Sequence, residues 1–395
     1  MRGGCRPPVG HAPARERKMK ITSVTAHLVK EWRTMLFVKV ETDEGLIGIG
    51  EGGLTSREEG VAGIISALAP LLVGEDPMRS EHLWQLMWRS GFHPSNQVLT
   101  SAIAAIDIAL WDIKGKALGV PVYQLLGGKV RDKVDCYCHI GGATPEALLA
   151  EARVRVAEGW NCLRWSSGPV GDGIYEPHKA VDYAIETFRL LRTELGPDIE
   201  LAFDAHTRTS VPDAVRLCRG VEAYRPMFIE DPIRIENPES YRRLREQTAV
   251  PIAAGEQLGT KWQFRSLIEE ELIDYARIDM CIAAGFTEAR KIAGWCETHF
   301  IDIAVHNPIG PVSTAACLHL NMATPNMLVQ ELPRRPGESL ADIIVSDHRW
   351  EDGWLIPSDA PGLGLQVDWE GLKRYPFEHE ALPLFHRVDG SLTNW

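Results

Sequence analysis

The sequence predicts a (β/α)8 barrel preceded by an α+β domain. Three observations carry that expectation. From about Val134 onward, eight short apolar runs alternate with helical segments, the rhythm that builds a parallel sheet. Polar residues close most of those runs at nearly equal intervals. Before Val134 the order is different, with strand-like segments first and helical periodicity after them. The 395 residues, 45% hydrophobic and 24% charged, are ample for two packed cores.

Residues 1–18, MRGGCRPPVGHAPARERK, are basic, rich in Pro and Gly and lack an apolar centre. They read as a disordered tail, or as an upstream extension ahead of Met19, and are left out of the fold. Residues 19–133 form the α+β domain. MKITSVTAHLV and MLFVKVETDEGLIGIGE read as strands with a turn at Asp43-Glu44-Gly45. EEGVAGIISALAPLL, EHLWQLMWRS and LTSAIAAIDIALWDIKGKAL carry helical spacing, the last with Asp107 inside its apolar stretch. The domain closes near Gly127-Gly128.

The barrel is read over 134–356. Its strands are VDCYCHI, NCLRWS, IELAFDAH, PMFIEDP, PIAAGE, YARIDM, DIAVHN and MLVQEL. TPEALLAEARVRVAEG lies between the first two, with Thr144 as N-cap and Pro145 at the first helical position. TEARKIAGWCETHF lies between the sixth and seventh. Residues 357–395 read as loop that packs back on the first domain.

Gly48-Ile49-Gly50-Glu51-Gly52-Gly53 matches G-x-G-x-x-G after a strand. The acids about 20 residues on, Glu75 and Asp76, lie in a turn after a helix, with no second strand before them. That context argues against a dinucleotide site and for a glycine-rich loop leaving a hairpin. The formal charge of −12 makes a surface that repels phosphate backbones, so nucleic-acid partners are not expected. No run of about 18 apolar residues exists, so no membrane span is expected. Of eight scattered cysteines only Cys136 and Cys138 are close. Without further Cys or His ligands they make a poor metal site, and free thiols in a reducing cytoplasm fit better.

The chemistry sits at the run ends. Asp204, Glu230, Glu256, Asp279, His306 and Glu331 follow one another at intervals of 26, 26, 23, 27 and 25 residues. Each interval is one β/α unit, so these side chains converge on one end of the barrel, the end that carries the site in barrel enzymes. Three adjacent carboxylates in a low-dielectric mouth repel, and a divalent cation removes the conflict. All-oxygen ligation by Asp204, Glu230 and Glu256 suits Mg2+, one ion per chain, with Mn2+ as a substitute. His206, two residues after Asp204, leaves the strand on the same side. Asp279 beside His306 fixes the imidazole's tautomer and raises its basicity. Glu331 either binds a substrate hydroxyl or braces His306.

These residues resemble the enolase superfamily, its mandelate racemase-like branch, and within it the acid-sugar dehydratases of galactonate and mannonate type. The resemblance spans nearly all of Met19–Trp395. It rests on SAIAAIDIALWDIKGKALGVPVYQLLGG (101–128), FDAHTR (203–208), FIEDP (228–232), AAGEQ (253–257), RID (277–279) and VHNPIGP (305–311). It implies a capping domain over a modified barrel and Mg2+ on Asp204, Glu230 and Glu256. The implied substrate is a sugar acid such as galactonate, mannonate or gluconate, in an enzyme that is often a homo-oligomer.

Many relatives carry K-x-K, or a single lysine, on the second strand; here it reads Arg164-Trp165-Ser166. A guanidinium stays protonated and is no ordinary base, which argues against racemisation. Arg164 with Tyr175 on the following loop resembles mannonate dehydratases, which makes Tyr175 the alternative base to His306 and Arg164 a partner of the substrate's carboxylate or a hydroxyl. His306 would take the α-proton and His206 would protonate the departing 3-hydroxyl, leaving a 2-keto-3-deoxy acid. The loops Lys30–Thr34 and Gly91–Asn96 are expected to read stereochemistry, with Trp32 and His93 as pocket walls. A racemase, epimerase or cycloisomerase on the same scaffold, or a non-catalytic metal-binding relative, are the alternatives.

Overall fold

The computed structural model describes residues 18–93, 96–168 and 173–394. The tail reading over 1–18 falls outside them but for Lys18, as do two positions of the Gly91–Asn96 loop. The described chain begins with an antiparallel sheet, β1 (Ile21–Lys30), β2 (Thr34–Thr42) and β3 (Ile47–Gly52). The turn between β2 and β3 holds Gly45 at φ +81, at the expected Asp43-Glu44-Gly45. Helices α1 (Glu58–Leu72), α2 (Ser80–Arg89), α3 (Gln97–Leu118) and the short α4 (Val122–Leu125) follow.

α3 is buried almost all round, which its apolar run foretells. It packs on β3, and there the glycine-rich motif finds its use. A Cβ on Gly50 would overlap the carbonyl oxygen of Ala105, and one on Gly48 that of Ala109. The glycines let a strand lie close against a helix backbone.

The barrel alternates β4 (Val134–His139), α5 (Pro145–Ala157), β5 (Cys162–Ser166), α6 (Pro177–Leu195), β6 (Glu200–Asp204), α7 (Val211–Val221), β7 (Phe228–Glu230), α8 (Pro238–Arg245), β8 (Ile252–Ala254), α9 (Lys261–Glu269), β9 (Tyr275–Ala276), α10 (Phe286–Thr298), β10 (Asp302–Val305), α11 (Pro311–Ala323) and β11 (Met327–Glu331). Thr144 caps α5 through Ala147 N–H at 3.2 Å. All eight strands are parallel neighbours, and β11 pairs with β4 to close the ring, Gln330 opposite Cys136 and Glu331 opposite Tyr137. Tyr137, Phe228 and Val329, with small Ala202, Ala253 and Ala304, fill one layer of the interior.

Strands β12 (Ile344–Ser346), β13 (Arg349–Glu351), β14 (Trp354–Ile356) and β15 (Leu365–Val367) are too short to show a period in sequence. β14 adds antiparallel to β4, and β15 lies within the stretch read as loop. From that stretch Glu378 and Glu380 meet Lys30, Thr34 and Ser56 of the first domain. Residues 384–386 turn back on the barrel, where His386 accepts Tyr175 N–H at 2.8 Å.

Two buried carboxylates tie the domains together. Neither α10 nor α11 has a side-chain cap of its own; each begins after a glycine. Asp107 of α3 accepts Thr287 N–H at 2.9 Å and the Thr287 hydroxyl at 2.6 Å, capping α10 from the other domain. Glu51 of β3 accepts Ser313 N–H at 2.8 Å and does the same for α11. A side chain at Gly285 or Gly310 would strike the capping carboxylate. Burial pushes Asp107 up to about 7 and Glu51 up to about 8, against the pull of those N–H donors.

Candidate active site

All eight barrel strands end, or run on within three residues, in a polar side chain: His139, Arg164, Asp204, Glu230, Glu256, Asp279, His306 and Glu331, in order from β4 to β11. Six of them, all but Asp204 and Glu230, line one open-mouthed cavity of about 1430 Å³, and His206 joins them there. Asp204 and Glu230 lie fully buried beneath it.

Asp204, Glu230 and Glu256 stand on three consecutive strands, each with a carboxylate oxygen within 4.8 Å of the others. Burial, then the charge of Glu230, pushes Glu256 up to about 7, opposed by His306. Burial also works against ionised Glu230, but Arg277 and Arg164 outweigh it and hold Glu230 below its ordinary range. Glu256 Oε2 is buried and accepts no hydrogen bond among the described residues. Three oxygen donors, one of them short of a partner, suit a hard divalent cation.

The guanidinium of Arg164 lies on this group, with Nη2 on Asp204 and Nε at 3.3 Å from Glu230. His206 lies against Asp204 twice, through its backbone N–H to Oδ1 and its Nε2 at 2.7 Å from Oδ2, both contacts 2.7 Å. Its φ of +47 turns the chain as the strand leaves the barrel. Burial, then Arg164 and Arg208, hold its imidazole well below its ordinary pKa.

His306 Nδ1 shares a 2.7 Å hydrogen bond with Asp279 Oδ2, while Asp279 Oδ1 accepts Cys281 N–H at 2.6 Å. The outer ring nitrogen, Nε2, is 3.5 Å from Glu256. Burial lowers the basicity of His306, but Glu256, Glu331 and Asp279 together raise it to about 9. Glu331 is not bonded to His306. Its Oε2 accepts Arg277 at 2.7 Å and Asn307 N–H at 2.9 Å, and its Oε1 takes His139 Nε2 at 2.6 Å.

Two expected residues stand apart. Tyr175 is buried, stacked on Phe385 at 6.2 Å with the Arg208 guanidinium 5.6 Å from its ring, and it does not line the cavity. Burial pushes its phenol above its ordinary range. His93 is exposed beside Phe92 and also lies off the cavity. Trp32 does form a wall, its indole N–H donating to Ser339 Oγ at 3.2 Å. Three residues that sequence reasoning passed over belong here: His139, which ends β4; Arg277, two residues before Asp279 and thus on its face; and Arg33, held by Pro308 O and Thr55.

Residues 147–371 match the family profile described as enolase C-terminal domain-like. Residues 12–127 match the mandelate racemase / muconate lactonizing enzyme N-terminal domain. The chain belongs to the mandelate racemase / muconate lactonizing enzyme family. It is 38% identical over 386 residues to a D-galactonate dehydratase of Cronobacter sakazakii, covering 95% of this chain and 100% of that one. To a D-galactonate dehydratase of Ralstonia nicotianae it is 39% identical, with the same coverage. Among solved structures, an enolase from Pantoea ananatis with bound D-gluconate and Mg superposes with a TM-score of 0.90 at 31% identity, over 95% of this chain and all of that one. An enolase from Agrobacterium radiobacter, bound to Na and L-malate, gives 0.88 at 30%, with the same coverage. Within the mandelate racemase / muconate lactonizing enzyme family this chain is a sugar-acid dehydratase, a hydro-lyase, which sets it apart from the isomerase and non-catalytic alternatives. Among the described residues no helix is long and apolar enough to cross a membrane.

Proposed function

We propose that the chain dehydrates an aldonic acid of galactonate, mannonate or gluconate type, with Mg2+ held by Asp204, Glu230 and Glu256. The observation that carries the reading is one mouth holding both a carboxylate triad within 4.8 Å and a His–Asp pair at 2.7 Å. The 38–39% relatives and the gluconate-and-Mg neighbour support it.

The obstacle to be overcome is the weak acidity of a proton α to a carboxylate, since its removal puts a second negative charge beside the first. Bound Mg2+ would supply Lewis-acid stabilisation of the charge that grows on the carboxylate. His306 takes the C2 proton on Nε2, and Asp279 holds the ring by Nδ1 and stabilises the imidazolium that results. Neutralising Glu256 removes the largest of the charges that raise His306, bringing it toward the range of a base at neutral pH. His206, on the Asp204 side, delivers a proton to the 3-hydroxyl as it leaves. Burial disfavours its imidazolium, and the negative charge of the substrate works against that. The enol ketonises to a 2-keto-3-deoxy acid. Arg164 steadies the substrate's carboxylate end.

The test is a screen of aldonic and aldaric acids with Mg2+, read as a 2-keto product by semicarbazide. Turnover of an aldonate that stops on chelation is expected. No ketone from any sugar acid, with the metal bound, would overturn the reading.

A further inference from the structure

The last residues of the chain grip three of the loops that leave the barrel strands, and His206 stands on one of them. After β6 the backbone holds His206 at φ +47 and Thr207 at φ +55, two successive non-glycine residues in the left-handed region. Such a pair is costly for residues with a Cβ and persists only where the surroundings fix it. The barrel itself fixes the N–H groups: Asp204 Oδ1 accepts that of His206 and Asp231 O that of Thr207, both at 2.7 Å. The Thr207 carbonyl is held from the far end of the sequence. It accepts Asn394 Nδ2 at 2.5 Å, and Asn394 Oδ1 in turn accepts Arg234 Nη1 at 2.7 Å. Arg208, the next residue, is buried. Its Nη1 donates to Ser167 O at 2.7 Å, and its guanidinium lies 5.6 Å from the ring centre of Tyr175 and 4.9 Å from that of Phe385. A planar cation against aromatic rings is held in place as well as in charge. Phe385 is fixed in its turn: His386 N–H donates to Gly173 O at 3.0 Å, and the chain doubles back so that Thr393 N–H reaches Phe385 O at 2.9 Å.

These contacts fall on the loops after β5, β6 and β7. Among the described residues no hydrogen bond of the segment reaches the loops after β9 and β10, where Asp279 and His306 stand. We propose that residues 385–394 set the position of the leaving-group acid: Asn394 and Phe385 are positioning residues that act on His206, the first through the Thr207 carbonyl and the second through Arg208. This rests on the dehydratase mechanism proposed above. Tyr175, which stands off the cavity, gains a part as the second ring beside Arg208. Upstream the same segment is tied to the first domain, where Glu380 O accepts the Ser56 hydroxyl at 2.6 Å. The end of the chain thus links the capping domain to the loop that carries the acid and leaves the base side alone.

The experiment follows two steps in the Mg2+-loaded enzyme with its best aldonate in deuterated water. Wash-in of deuterium at C2 of recovered substrate reads His306, and ketone formation reads His206. In F385A and N394A ketone formation is expected to fall, by about 10²-fold for a displacement of about 1 Å, while wash-in persists. F385Y returns a ring to the guanidinium and is expected to recover most of the loss. N394A removes a single amide near the surface and keeps the test open should F385A not fold. In the substrate-free enzyme the ring resonance of His206, assigned by its loss in H206N, is expected to move in both variants, while that of His306, assigned by H306N, stays. Equal loss of wash-in and ketone formation would mean that the segment supports the whole site alike, and would overturn the inference; so would undiminished ketone formation in both variants. An unmoved His206 resonance in both, with a working wild type, sinks this inference alone. Failure of the wild type on every sugar acid is a different result, which sinks the proposed function and this inference with it.

Discussion

Arg277 offers a severe test of how the site is held. Its guanidinium is 0% exposed and joins two buried acids, donating to Glu230 Oε1 at 2.5 Å and to Glu331 Oε2 at 2.7 Å. It also satisfies the carbonyls of Ala304 and Val305 at 2.8 and 3.0 Å. Arg277→Met keeps the bulk and removes the charge and every donor. Stripping one partner from a buried ion pair costs about 3–5 kcal/mol, and leaving two carbonyls without a donor adds about 1 kcal/mol or more. Guanidinium unfolding followed by circular dichroism would measure the loss in the transition that includes the barrel. Part of the deficit is expected to return on acidification, because protonating Glu230 or Glu331 removes the uncompensated charge. Part is also expected to return with added Mg2+, which at the proposed site would compensate Glu230 and favour the folded state. Arg277→Lys, with three donors on a flexible stem, is expected to fall between the two. A Met variant within about 1 kcal/mol of wild type, and equally so at acidic and neutral pH, would refute the reasoning.

Other perturbations probe separate parts. His306→Asn is expected to abolish exchange of the substrate's α-proton with deuterium, a loss of about 10²–10⁴-fold or more; NMR exchange at the wild-type rate would remove the base assignment. His206→Asn is expected to keep exchange and lose dehydration, and equal loss of both would deny it the role of leaving-group acid. Gly50→Ala is expected to destabilise by about 1–3 kcal/mol, since its Cβ overlaps Ala105 O, whereas Gly45→Ala, with nothing within 4 Å, bears only the strain of φ +81; equal thermal shifts would contradict the close strand–helix approach. Asp107 has a folded pKa raised to about 7, so its contribution is full below the ordinary carboxylate pKa and is lost as pH rises through about 7. Asp107→Asn should therefore lose less stability than wild type between pH 4 and pH 8 in urea titrations, and parallel pH profiles would deny the shift.

Much of this was legible in sequence, for identifiable reasons. A parallel strand buried on both faces is a continuous apolar run, and a polar residue that ends it must face the mouth. That logic reached six strand ends, and Arg164 came through the resemblance. His139 obeys the same logic but is followed by Ile140, so the apolar run VDCYCHI does not visibly end on it. Arg277 was passed over because an interior arginine has no signal of its own; only its two-residue offset from Asp279 betrays it. Tyr175 failed for the opposite reason. Its position on a loop after the second strand matches the resemblance, but loop spacing does not say whether a ring points into the cavity or stacks on Phe385. His93 likewise sits on a loop whose direction no pattern encodes. Asp107 stood out as a charge in an apolar helix, yet its partner, the uncapped N-terminus of α10, lies 180 residues away.

The proposed metal cage is what the proposed chemistry depends on, and a crystal structure of the enzyme grown with Mg2+ and an aldonate tests it most directly. The account predicts one ion held by an oxygen of each of Asp204, Glu230 and Glu256 at about 2.0–2.1 Å, with a substrate carboxylate among its remaining ligands. An ion bound elsewhere, or a full-length triad left without one at saturating Mg2+, would contradict it.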